Sequence, residues 1–171
     1  MKAIIIQGSS RRDGNTSKIC DLFSINQSID MLHLSDYQIG HFDYEFQNLE
    51  DDFHPLIQKL MHYPIWVFAT PVYWYSMSGR TKVFLDRISD LLKIDKESGR
   101  KLRGKSLGLI TCGSEAKLNK GFTIPFQLSA EYLGMDYLGD VHGWIENSEI
   151  PAQVMPEIEA YLQKILTILA S

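Results

Sequence analysis

Short runs in which nearly every residue is apolar constrain the fold of this chain more than any other feature. The clearest runs are residues 3–6 and 65–69. A strand with one face in water alternates apolar and polar residues, whereas a strand that is apolar throughout must be covered on both faces. Parallel sheets with helices above and below provide that cover. The sequence therefore predicts a doubly wound α/β fold.

Five strands and five helices are expected along the chain. Apolar and β-branched residues predict strands at residues 2–7, 29–34, 64–70, 105–112 and 137–145. Apolar residues spaced by three and four predict helices at residues 17–25, 51–62, 82–93 and 122–133, and a last helix with the apolar stripe Val154, Ile158, Tyr161, Leu162, Ile165 and Leu169. The chain has 171 residues and no repeat or linker, which predicts one domain over residues 1–171.

Composition excludes several kinds of partner. The formal charge is -4 and the 17 lysine and arginine residues are scattered, so we expect no nucleic acid partner. No apolar run approaches the roughly 20 residues needed to span a bilayer, and the N-terminal run is too short for a signal peptide. Cys20 and Cys112 are too few for a disulfide framework, and the histidines lack metal-ligand spacing. We expect a cytoplasmic protein that binds no metal.

A loop rich in small polar residues follows the first predicted strand. Residues 8–17 read Gly-Ser-Ser-Arg-Arg-Asp-Gly-Asn-Thr-Ser, and a helix is predicted to begin there. Glycines permit a tight turn, and the N–H groups of a helix N-terminus attract anions. The alternative is that Asn15, Thr16 or Ser17 only caps the helix. One cap needs a single such residue, so the loop composition favours a phosphate site.

The absence of known motifs narrows the range of possible phosphate ligands. The loop matches neither the P-loop pattern of nucleotide triphosphatases nor the Gly-x-Gly-x-x-Gly pattern of dinucleotide-binding proteins. A phospho-accepting response regulator would need acidic residues after strand one and an aspartate ending strand three. Gln7, Gly8, Thr70 and Pro71 occupy those places. These three classes of protein are therefore disfavoured.

Three aromatic residues follow the third predicted strand. Residues 70–79 read Thr-Pro-Val-Tyr-Trp-Tyr-Ser-Met-Ser-Gly. Large aromatic side chains on a loop offer flat faces and polar edges to a planar ligand, and they are also typical of subunit contacts. The alternative is that they pack on the core. A planar ligand would sit close to the first loop, because both loops follow the carboxyl ends of strands.

Together these motifs resemble the NADPH-dependent FMN reductase family. The resemblance rests on Gly8-Ser9-Ser10-Arg11, on Gly14-Asn15-Thr16 and on Thr70-Pro71-Val72-Tyr73-Trp74, with Gly79, Lys82, Asp86 and Arg87 following. It implies a flavodoxin-like fold, that is, a doubly wound five-stranded parallel sheet of order 2-1-3-4-5 with helices on both faces. It implies FMN as the cofactor, with NADPH or NADH as the reductant.

The resemblance also implies three groups of FMN-binding residues. The first loop would bind the phosphate through Ser9, Ser10, Arg11, Asn15, Thr16 and Ser17. The second would border the isoalloxazine ring through Pro71, Val72, Tyr73, Trp74, Tyr75 and Ser76. A third loop, after strand four, would close over the ring through Thr111, Cys112, Gly113 and Ser114, with Glu115 following.

The implied function is electron transfer from NAD(P)H through FMN to a small acceptor such as a quinone, free flavin or azo compound. No side chain is assigned as a catalytic acid or base, because the flavin carries the chemistry. An electron carrier of the flavodoxin type, without a nicotinamide site, is the main alternative, and an interaction module that lost the cofactor is a second. Residues 37–44 contain no cysteine, which argues against an iron–sulfur centre.

We also expect a homo-oligomer, either a dimer or a tetramer. Its contact is expected at residues 73–77 and along the helix at residues 79–93, because the aromatic loop presents more apolar surface than a monomer normally exposes.

Overall fold

A computed structural model describes residues 1–171 and contains one five-stranded parallel sheet. The strands are β1 Ala3–Gln7, β2 Ile29–His33, β3 Ile65–Pro71, β4 Ser106–Gly113 and β5 Asp136–Trp144. They lie in the order β2-β1-β3-β4-β5, and every neighbouring pair is parallel. The predicted fold class and strand order are confirmed, and each strand lies within one or two residues of its predicted range.

Six helices surround the sheet. They are α1 Asn15–Ser24, α2 Phe53–Leu60, α3 Gly79–Lys93, α4 Lys96–Lys101, α5 Ile124–Leu133 and α6 Met155–Ala170. Helix α4 was not expected, because its sequence Lys-Glu-Ser-Gly-Arg-Lys has no apolar periodicity. None of the helices is both long and apolar enough to cross a membrane.

The two faces of the sheet carry separate hydrophobic cores. Ile4, Ile6, Trp66 and Phe68 point to one face, where α2, α3 and α5 cover them. Alternate residues of the same strands, such as Ile5 and Val67, point to the other face, where α1 and α6 lie. This arrangement explains why β1 and β3 are apolar at nearly every position.

Tyr161 of α6 supplies hydrogen bonds at an irregularity between β4 and β5. The register of the two strands shifts between Leu107 and Leu109. The Tyr161 hydroxyl accepts a hydrogen bond from Leu109 N (3.0 Å) and donates one to Gly139 O (2.8 Å). Gly108 lies under that hydroxyl, where a Cβ atom would clash with it. The position of α6 is therefore fixed by a polar contact as well as by its apolar stripe.

A long irregular segment, residues 37–52, joins β2 to α2. The buried guanidinium of Arg87 on α3 holds it in place by donating to Gly40 O (3.1 Å) and Asn48 O (3.0 Å) and by pairing with the Asp51 carboxylate. The same carboxylate accepts from Phe53 N (2.9 Å), so α2 begins at Phe53 and not at the predicted residue 51.

Candidate functional site

The carboxyl edge of the sheet carries a cleft in which the three predicted loops meet. The cleft has a volume of about 240 Å³. It is lined by Ser9, Arg11, Gly14, Asn15, Thr16, Pro71, Val72, Tyr73, Cys112, Gly113, Ser114 and Ile145. A second pocket of about 220 Å³ adjoins it through Val72, Gly113 and Ser114. Their combined size falls in the range of small-ligand pockets, roughly 300–1,000 Å³.

The first loop presents free backbone donors to this cleft. Gly14 precedes α1, and no side chain caps that helix. The backbone N–H groups of Asn15 and Thr16, at the start of α1, donate no backbone hydrogen bond within the chain. The alternative that Asn15, Thr16 or Ser17 serves as a helix cap is therefore wrong. With Arg11 on the same wall, the loop has the donors and positive charge that bind a phosphate group.

A close approach of two loops requires glycine at position 8. The Gly8 carbonyl accepts a hydrogen bond from Ser78 Oγ (2.6 Å), and a Cβ atom on Gly8 would clash with the Thr81 hydroxyl. Ser78 also caps α3, since its side chain accepts from Thr81 N. The first loop and the start of α3 are thus held against each other.

The second loop ends in a strained two-residue turn. Tyr73 and Ser76 exchange backbone hydrogen bonds of 2.9 and 3.0 Å, and Trp74 and Tyr75 between them have φ values of 49° and 64°. The left-handed region costs a non-glycine residue roughly 1–2 kcal/mol. The turn holds the Trp74 side chain 93% exposed and that of Tyr75 72% exposed, beside the second pocket. The alternative that these two side chains pack on the core is therefore wrong.

His142 of β5 holds the third loop. Its Nδ1 lies 2.7 Å from Thr111 Oγ1, and its Nε2 lies 2.9 Å from Glu115 O. A carbonyl only accepts, so Nε2 carries a hydrogen atom and donates it. The imidazole also packs on Gly113, where a Cβ atom would lie 3.1 Å from His142 Cε1. This histidine therefore positions residues 113–115 at the wall shared by the two pockets.

Cys112 lines the cleft as a protonated thiol. Burial raises its pKa to about 11, and a hydrogen bond with Thr16 opposes that shift only in part. The nucleophilic form of cysteine is the thiolate, which is scarce at neutral pH when the pKa is that high. Cys112 therefore provides an apolar wall rather than a reactive group.

Most of the predicted site residues gather at the two pockets, and four do not line either one. Trp74 and Tyr75 line the second pocket only. The residues that line neither are Ser10, Ser17, Ser76 and Thr111. The Ser17 hydroxyl points inward, Ser76 closes the aromatic turn, and Thr111 is buried against His142.

Several lining residues were missed by sequence reasoning. Ile145 follows β5 and lines the cleft, and the second pocket adds His142, Lys117, Leu118 and Asn119. The rule that ligands bind beyond the carboxyl ends of parallel strands gave a signal for Ile145. No signal marked His142, because its partner Thr111 is 31 residues away in the sequence.

The cleft suits a ligand that joins a phosphate group to a planar ring. The first loop contributes free N–H groups and Arg11 to the lining, while Pro71, Val72 and Cys112 contribute apolar side chains from the ends of β3 and β4. These features fit FMN, which has both parts.

Comparison with known proteins agrees with this geometry. The fold is shared with solved structures that include a Trp repressor binding protein from Bacillus subtilis, with a TM-score of 0.73, 23% identity and coverage of 96% of this chain and 97% of that one. An FMN-dependent NADH-azoreductase from Bacillus anthracis, solved with FMN, has a TM-score of 0.69, 14% identity and full coverage of both chains. The protein is therefore of the flavodoxin-like class.

The family follows from the sequence. The model of the family "NADPH-dependent FMN reductase" matches residues 1–141, so the chain belongs to that family, and the predicted resemblance is confirmed. The protein YwqN of Bacillus subtilis, named as a putative NAD(P)H-dependent, FMN-containing oxidoreductase, is 28% identical over an alignment of 153 residues that covers 84% of each chain. The protein is an FMN-dependent flavoenzyme that uses NAD(P)H, and the main alternative, a flavodoxin-type carrier, is not favoured.

Proposed function

We propose that this enzyme passes electrons from NAD(P)H through FMN to a small planar acceptor such as a quinone, free flavin or azo compound. The observation that carries the proposal is the second pocket, which adjoins the candidate FMN cleft and is bordered by Trp74 and Tyr75. Exposed aromatic faces there suit a flat second ligand. Structural neighbours include an azoreductase from Bacillus anthracis and an NADPH-quinone reductase from P. pentosaceus.

In this proposal each loop has a separate task. Ser9, Arg11 and the N–H groups of Asn15 and Thr16 bind the phosphate. Pro71, Val72 and Tyr73 border one part of the ring, and Cys112, Gly113 and Ser114 border another. Bound FMN would supply hydride acceptance from the nicotinamide and electron delivery to the acceptor. The chain supplies position and polarity, and none of its side chains is given the role of an acid or a base.

Acceptor oxidation of pre-reduced enzyme tests this proposal. Holoenzyme reduced with dithionite should be reoxidised by a quinone, free flavin or azo dye at saturable rates, because each acceptor binds in the second pocket. Trp74→Ala should raise the half-saturating acceptor concentration about tenfold, since a base-sized aromatic stack is worth roughly 1–3 kcal/mol. Ile25→Ala, a change at an exposed apolar residue at the far end of α1, is the control. Rates that rise linearly with acceptor and ignore Trp74→Ala would contradict the proposed pocket.

The proposal also includes assembly as a homodimer, through a contact that keeps the predicted helix at residues 79–93 but pairs it with α5 rather than with residues 73–77. Helix α5 exposes Ile124, Leu128 and Tyr132 at successive four-residue steps, so they form one apolar stripe. Between this stripe and Leu85 and Leu92 of α3 runs a groove of about 380 Å³. A two-fold axis would let the ridge of each copy fill the groove of the other, and exposed apolar surface of this kind is typical of subunit contacts.

Sedimentation at micromolar concentrations tests the dimer. Leu128→Glu should raise the dimer dissociation constant at least about tenfold, because it places an unpaired charge in the contact. Ile25→Glu, on the opposite face, should leave it unchanged. A wild-type protein that is monomeric at every concentration would refute this assembly.

The single domain over residues 1–171 and the cytoplasmic location stay predictions.

A further inference from the structure

Beneath the first loop lies a buried set of polar groups, none of which lines the cleft. Gln7 ends β1 with no exposed surface, and its Nε2 donates to Ser17 Oγ over 2.6 Å. Its Oε1 lies 3.0 Å from Nδ1 of His33, at the end of β2. The Ser17 hydroxyl donates to the carbonyl of Arg12. We call Gln7, Ser17, His33 and the Arg12 carbonyl the subloop network.

The direction of every hydrogen bond in the subloop network is determined. The Arg12 carbonyl only accepts, so Ser17 must donate to it, and Ser17 Oγ then accepts from the Gln7 amide nitrogen. The Gln7 oxygen is left to accept from His33 Nδ1, which carries its hydrogen. Burial, with the nearby charge of Arg12, lowers the pKa of His33. The network is satisfied in one arrangement only.

Ser17 is therefore not placed as a phosphate ligand. Its hydroxyl spends its hydrogen on Arg12 O, its side chain is buried, and it does not line the cleft. The loop it supports holds the free N–H groups of Asn15 and Thr16. Outside the network, the ion pair of Arg12 with Asp36 (2.5 Å) links the first loop to the short turn after β2, and both of its side chains are exposed.

We propose that Gln7 and Ser17 are positioning residues that set the conformation of the first loop and thereby determine preference for FMN over riboflavin without contacting the phosphate. The proposal rests on the proposed function, in which that loop binds the phosphate. Buried polar groups with all partners in place fix one geometry, and donors must be aligned to bind an anion well. Loss of the Ser17 side chain frees the Arg12 carbonyl. Loss of the Gln7 side chain removes the donor that orients the Ser17 hydroxyl toward that carbonyl, so either change lets the loop move.

The test compares FMN and riboflavin binding by calorimetric titration of apo-protein. Ser17→Ala should weaken FMN binding about ten- to a hundredfold, as expected when one charge-assisted hydrogen bond is misaligned, and should change riboflavin affinity less than about threefold. Gln7→Leu should have the same selective effect, and the double variant should lose little more than either single one, because Gln7 acts on the loop through Ser17. Ser24→Ala, an exposed hydroxyl at the end of α1, is the control.

A second readout needs no flavin. In apo-protein with Ser17→Ala, the NMR order parameter S² of the backbone amides at residues 9–14 should fall from about 0.85 toward about 0.6. The order parameters of β1 should not change. A loop that stays ordered would overturn the proposal, even if Gln7→Leu did not fold. A selective loss of FMN affinity in Ser17→Ala but not in Gln7→Leu would indicate that Ser17 contacts the phosphate directly, and would overturn the proposal. Equal weakening of FMN binding and riboflavin binding would overturn it as well. A wild-type protein without FMN preference would instead overturn the proposed phosphate site.

Discussion

Titration with the two flavins should show that FMN binds at least about a hundredfold more tightly than riboflavin. Hydrogen bonds to a charged group contribute roughly 1.5–3 kcal/mol each, and two of them exceed the 2.7 kcal/mol or so that a hundredfold difference requires. The candidate donors are the free N–H groups of Asn15 and Thr16, with Arg11 beside them. Equal affinities would rule out the first loop as the phosphate site.

A paired substitution locates the effect. Replacing Asn15 and Thr16 together by alanine should reduce the preference for FMN in part, because the amide and hydroxyl side chains leave the cleft while the backbone N–H groups stay. The melting temperature of the apo-protein should change little, since neither side chain caps α1. Ser24→Ala provides a control on the same helix. A double variant that melts much earlier but keeps its FMN preference would assign these residues to the fold alone.

Arg87→Met should lower the free energy of unfolding by about 3–5 kcal/mol, which is typical of removing one partner from a buried ion pair. The Arg87 side chain is 1% exposed and donates to Asp90 Oδ2 (2.7 Å) as well as to the Asp51 carboxylate. Burial opposes ionisation of Asp51, but hydrogen bonds from Arg87, Phe53 and Gly40 hold its pKa below the usual value. The variant leaves one buried carboxylate, Asp90, and one partly buried carboxylate, Asp51, without their cation.

Urea unfolding monitored by circular dichroism measures this loss. Lys101→Met, which removes an exposed pair with Glu97, should leave the midpoint nearly unchanged because surface pairs contribute little. Arg87→Lys keeps the charge but not the forked geometry, so its midpoint should lie between those of wild type and Arg87→Met. A midpoint for Arg87→Met equal to that of Lys101→Met would contradict the role given to this network.

The sheet could be predicted because its signal is local. In β1 and β3 almost every side chain is apolar, and that pattern has one common explanation, a strand covered on both faces. Helix α4 carried no such signal, because it contains Gly99 and charged residues and is held by contacts with α3. The predicted start of α2, at residue 51, was wrong for a similar reason. Asp51 is bound by Arg87, which lies on a helix distant in sequence.

The sequence was enough to predict which loops form the site, but not which way their side chains point. Ser17 belongs to a loop with the right composition, yet its hydroxyl turns toward Gln7, and only the packing of α1 on β1 determines that. His142 was missed because its role depends on β5 lying beside β4. The left-handed turn at Trp74 and Tyr75 was equally hidden, since these residue types normally avoid it.

Anaerobic mixing of the FMN-loaded protein with NADH and with NADPH tests the central claim most directly. The flavin absorbance band should bleach on a timescale of about a second or less at millimolar nucleotide with at least one of the two, since enzymes typically turn over at about 1–10³ s⁻¹. A flavin that stays oxidised for minutes with both nucleotides would contradict the account and leave the protein as an FMN carrier without a nicotinamide site.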